Sequence, residues 1–189
     1  MWPGLTTAVE WSSMTSVPAQ ELPRLPVYKV IYDKAYAPAL GFAAQMRRQG
    51  VATHSIDKDI TSVWFNDLAL RWRRRPVAIA GLTAPAALFC LEQLAWDHRM
   101  RVVLRAMHTE RPDGDIEHRI RAPQALMPHI EKSLGIELDW GASMADLAMH
   151  CPQSGTSAAT ELTVGTRAWG GDAQARALVS WVIAPVNSA

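Results

Sequence analysis

Residues 77–108, VAIAGLTAPAALFCLEQLAWDHRMRVVLRAMH, hold two apolar runs separated by an amphipathic stretch. That order restricts the segment to strand, tight turn, helix and strand, one βαβ unit. Val77–Ala80 has no polar interruption, as in a strand covered on both faces. Thr83 is placed to cap the following helix, and Pro85 falls in its first turn, where an N–H would find no partner. Ala87, Leu88, Leu91, Leu94, Ala95 and His98 recur at helical spacing along one face. Arg101–Met107 supplies the second strand. If the strands are parallel, ligands are expected at their carboxyl ends.

The segment upstream repeats the alternation. Val27–Tyr32 is rich in β-formers and ends at Asp33, and Ala37–Gln49 has helical spacing with Gly50 as its stop. Val51–Ile56 reads as a weaker strand. Asp59 or Thr61 can cap a helix over Ile60–Arg73, closed by Arg73, Arg74 and Arg75 just before Pro76. Strands near 27–32, 51–56, 77–81 and 101–108, alternating with three helices, predict an α/β fold with a mainly parallel, doubly wound sheet. After His108 the Arg111-Pro112-Asp113-Gly114 turn and the alternation of Ile116, His118 and Ile120 with charged residues predict an antiparallel hairpin strand near 115–121. Helices are expected over Pro123–Leu134 and near Ser143–His150, a loop over 152–161, and a C-terminal strand near 176–184. Residues 1–26 contain four prolines and read as an irregular arm, leaving 27–189 as a single α/β domain.

A net charge of +1 gives no overall field for nucleic acid or an anionic membrane. No stretch approaches the roughly 20 apolar residues of a membrane helix, and nothing resembles a secretory signal, so a cytoplasmic protein is expected. Arg71, Arg73, Arg74 and Arg75 with Trp72 fit a solvated helix end better than a nucleic-acid contact. Cys90 and Cys151 have no motif spacing, and two buried thiols are expected rather than a disulfide.

In the parallel arrangement Tyr32, Asp33, Asp57, Gly81, Thr83 and His108 reach one rim. Asp33 and His108 are the acid–base candidates, and Tyr32, Asp57, Gly81 and Thr83 the candidates for holding a ligand. Helix capping accounts for Asp33, Asp57 and Thr83 as well. The Gly81-Leu82-Thr83 turn can offer N–H groups to an anion but lacks the dinucleotide and P-loop patterns, so no cofactor is indicated. His150-Cys151, with His108, His118 and His129, lacks the ligand spacing of a zinc site, and no metal is expected. Eight tryptophans are unusual, and Phe89, Trp96 and Met100 form a second helix stripe suited to another subunit. The expected function is binding of a small polar or anionic ligand at the carboxyl rim, with acid–base chemistry open to it. The alternative is a non-catalytic accessory or interaction protein that buries the aromatic stripe, as a homo-oligomer or against a partner.

Overall fold

The computed structural model describes residues 24–134, 139–152, 159–166 and 177–186. Seven strands are formed: β1 (Val27–Asp33), β2 (Ala52–Ile56), β3 (Ala78–Thr83), β4 (Met100–Glu110), β5 (Ile116–Pro123), β6 (Ala159–Thr166) and β7 (Leu178–Pro185). The helices are α1 (Ala37–Arg48), α2 (Thr61–Val63), α3 (Ala69–Arg74), α4 (Pro85–Trp96), α5 (Met127–Leu134) and α6 (Trp140–Met149). The strands make one sheet in the order β2-β1-β3-β7-β4-β5-β6.

The α/β class is as expected, but the sheet is mixed rather than mainly parallel. β1 pairs in parallel with β2 and β3, whereas the β3–β7, β7–β4, β4–β5 and β5–β6 pairings are antiparallel. The physical reason is β7. Its side chains from Leu178 to Ala184 are all buried, so it needs cover on both faces and a strand on both edges. It obtains these by inserting between β3 and β4. A continuous apolar run reads the same in either direction, so its orientation is not encoded in periodicity. Two successive reversals leave β4 running in the direction of β1, β2 and β3, although β4 does not touch β3. The carboxyl ends of all four therefore share a rim.

Alternating side chains divide the core. Val30, Ala80, Leu82, Leu104, Ala106, Ile120 and Val182 face α1 and α6. Ile31, Ile79, Val179, Trp181 and Ile183 face the helical segment after β2 and α4. Between α2 and α3 the chain makes a π-helical turn, Trp64–Leu68. Val63 and Leu68 are both buried, and their five-residue spacing lines up only on a turn of that width.

Several expectations are corrected. Met100 is fully buried at the start of β4, so it does not extend the exposed stripe of Phe89 and Trp96. Cys90 lies on the exposed side of α4, while Cys151 is buried; both thiols are free. Residues 159–161, expected as loop, open β6, which pairs along β5 from Thr166 opposite Ile116 to Ala159 opposite Pro123. The N-cap of α4 is Ala84, not Thr83, and α1 begins at Tyr36 with no side-chain cap. The first strand starts where expected, but residues 1–23 of the N-terminal arm lie outside the described residues.

Candidate functional site

β1 and β3 lie side by side, and their chains leave the sheet on opposite faces, through α1 and α4. Such a divergence opens a crevice beyond the carboxyl ends in α/β sheets. Asp33 closes β1 at this point and is fully buried. Its Oδ1 accepts a hydrogen bond from the Ala35 N–H at 3.1 Å, an Asx turn that fixes the β1–α1 corner. Its Oδ2 is buried and receives no hydrogen bond among the described residues. An unmatched buried acceptor typically costs about 1–3 kcal/mol, more when charged.

Thr83 ends the neighbouring strand on the same face. Its hydroxyl donates to the Ala84 carbonyl at 3.1 Å and accepts from Trp181 Nε1 at 3.1 Å, so the protein itself engages it. Gly81 lies opposite Trp181 in the β3–β7 register, and the indole occupies the space a side chain would need. Its lack of a side chain thus serves strand packing. Tyr32 is half-buried on the other face, with the Arg47 guanidinium 5.9 Å from its ring centre. Asp57 is exposed and pairs with Lys34 at 3.6 Å.

His108 belongs to a different constellation. The β4–β5 hairpin sets it directly opposite His118, and the β4–β7 register brings Ser180 alongside. His108 Nδ1 lies 2.6 Å from His118 Nδ1, and His108 Nε2 lies 2.8 Å from Ser180 Oγ. One Nδ1 donates its proton to the other, which requires the accepting ring to be neutral. The Trp140 ring of α6 lies over both imidazoles, 4.3 Å from His108 and 5.1 Å from His118 between ring centres. Burial, and then the proximity of His118, hold the His108 pKa well below the usual histidine range. Burial lowers that of His118 to about 4. A neutral imidazole against a serine hydroxyl is the pairing of a base with a nucleophile. Here Ser180 and His108 are sealed beneath α6, 1% and 2% exposed, and the pairing acts as a polar link inside the core.

The two acid–base candidates are not brought together. β3 and β7 lie between β1 and β4, so Asp33 and His108 are three strand spacings apart, about 14 Å. Strand alternation also directs them to opposite faces: Asp33 follows Ile31, and His108 follows Ala106. The rim is shared, but the site is divided.

Ser180 was not among the candidates the sequence offered, and His118 entered only as a companion in a metal set without zinc spacing. The signal for His118 was present in its alternation with Ile116 and Ile120 on the apolar side of a strand. Ser180 carried none beyond being a polar residue within an apolar run. Elsewhere, His129 and His150 stack at 6.1 Å, and burial raises the Cys151 thiol to about 12. Among the described residues no three His, Cys, Asp or Glu side chains converge as a metal site would require. No helix among them is long and apolar enough to cross a membrane. Comparison with protein-family models, curated proteins and solved structures finds no match for the chain.

Proposed function

We propose that the chain binds a small polar ligand at the carboxyl rim between β1 and β3, held by Asp33. One observation carries this reading: the buried carboxylate at the carboxyl end of β1 has one oxygen satisfied by the Ala35 N–H and one with no donor among the described residues. A protein keeps such a group at a cost in stability, and functional sites are where that cost is commonly accepted. The unmatched atom is an acceptor, which selects the ligand's chemistry. A hydroxyl or ammonium group would complete it, whereas an anion would repel it at low local dielectric. The ligand class narrows accordingly from polar or anionic to polar with donor groups. Joint acid–base catalysis by Asp33 and His108 has no support in a separation of about 14 Å.

Thermal-shift measurement against polyols, amines and organic acids tests the reading. A true ligand at a hundredfold excess over Kd stabilises by about 2.7 kcal/mol, a rise in Tm of about 5–10 °C for a domain of this size. The shift is expected from a hydroxyl or amine compound and is expected to vanish in Asp33→Asn. Equal shifts in both proteins would remove Asp33 from the binding site.

A second reading, assembly through an aromatic face, draws on one specific observation. Phe89 and Trp96 on α4 are 62% and 50% exposed, and Phe65 and Leu70 on the neighbouring helical segment are 67% and 51% exposed. Apolar surface of this extent suits contact with a second copy. In sedimentation equilibrium, Trp96→Glu should then lower the mean mass relative to the wild type at equal concentration. A wild type that is already monomeric would end this reading.

A further inference from the structure

The opposite, amino rim of the sheet carries a cleft of about 270 Å³ lined by Leu25, Pro26, Arg75, Pro76, Val77, Ala78 and Pro185. The side chains that line it are apolar apart from the Arg75 guanidinium. Two more arginines have their backbones next to lining residues. Arg24 immediately precedes Leu25, and the Arg99 carbonyl accepts a hydrogen bond from Val186, next to Pro185, at 3.0 Å. All three arginines are exposed. No carboxylate pairs with any of them among the described residues, and Asp97, two positions before Arg99, makes no ion pair with it. Three other arginines do find carboxylates: Arg105 reaches Glu92, Arg111 reaches Asp113 and Glu117, and Arg119 reaches Glu117 and Glu161.

Basic residues commonly end helices because they complement the dipole, and Arg73 and Arg74 at the end of α3 need no other explanation. That account does not cover Arg24, which belongs to no helix; Arg75 is the C-cap of α3, with extended backbone, φ −155° and ψ 114°, that turns it towards the cleft it lines. Unpaired guanidinium groups beside a small apolar cleft match a ligand with an apolar body and a terminal anionic group. The body would displace water from Leu25, Val77 and the prolines, and the planar forks would grip a carboxylate or sulfonate. We infer that the amino rim is a binding site for small amphipathic organic anions, with Arg75 the principal anchor and Arg24 and Arg99 supporting it. The site lies at the other end of the strands from Asp33 and is independent of the ligand proposed there.

Fluorescence titration with 1-anilinonaphthalene-8-sulfonate, alongside its uncharged analogue N-phenyl-1-naphthylamine, tests the assignment. The sulfonate should bind at least about tenfold more tightly than the neutral compound, the discrimination one charge-assisted contact supplies. Arg75→Ala should remove that preference, and Arg75→Lys should restore part of it. Octanoate should displace the sulfonate, while octanol at equal concentration should not. Both variants alter an exposed side chain, so folding is preserved and can be checked by circular dichroism. Equal binding of the two fluorophores by the wild type, or sulfonate affinity unchanged in Arg75→Ala, would overturn the inference.

Discussion

Gly81→Ala should lower the unfolding free energy by about 3 kcal/mol, the upper end of what overpacking costs. A β-carbon built on Gly81 would stand 2.4 Å from the Ile31 carbonyl oxygen and 2.4 Å from Trp181 Cζ2. Neither neighbour has room to retreat. Ile31 is held in the β1–β3 pairing opposite Gly81 itself, and Trp181 is fully buried with Nε1 bonded to Thr83. The clash is therefore with backbone on one side and an anchored ring on the other. Urea unfolding at neutral pH reads the effect directly. Trp181→Phe in the same background should recover part of the loss by shortening the ring, and a loss under about 1 kcal/mol in the single variant would show that the indole is less firmly held than its burial implies.

The second large effect is acid sensitivity well above the pH where carboxylates titrate. His108 and His118 are neutral when folded, with pKa values held below their unfolded value of 6.5. Between the folded and unfolded values the unfolded chain binds more protons, so stability is complete above pH 6.5 and declines as pH falls through this window. With His118 at about 4, that residue alone removes about 2 kcal/mol by pH 5, and His108 adds to it. His54, lowered chiefly by burial, contributes in the same direction. Asp67 is separable. Burial alone would raise its pKa, but hydrogen bonds from Lys29 and Tyr28 outweigh this and leave it below 3.8, so its contribution is lost only at more acid pH. Unfolding free energies between pH 7.5 and 5 should thus slope steeply in the wild type and much less in His108→Leu/His118→Leu. Parallel slopes would mean that the pair is protonated or open in the native protein.

How much of this was legible in the sequence follows from what periodicity carries. Helical spacing and apolar runs located β1, α1, β3, α4, β4 and the hairpin strand β5, because those signals are local. Strand direction and neighbourhood are not local. Nothing in Leu178–Ala184 says that this segment enters between β3 and β4, and that insertion alone places Asp33 and His108 about 14 Å apart. β6 was missed because its alternation, with Glu161 and Thr163 exposed and Leu162 and Val164 half-buried, is short and weak. Polar candidates fared according to the groups that reach them. Asp33 ends β1 buried with one oxygen unmatched among the described residues, whereas Thr83 is engaged by an indole 98 residues away and His108 by a histidine and a serine that form no recognisable motif. Met100 was assigned to the exposed stripe on helical spacing beyond the end of α4, where the chain has already turned into β4.

The rim reading rests on Asp33 being a carboxylate left half-satisfied among the described residues. The unfolding free energy of ligand-free Asp33→Asn at pH 7 examines this without knowledge of the ligand. The amide keeps Oδ1 for the Ala35 N–H and removes a buried charge, so the variant should be more stable than the wild type by about 1 kcal/mol. A variant less stable by that amount would mean that Oδ2 already has its partner and that Asp33 serves the fold alone.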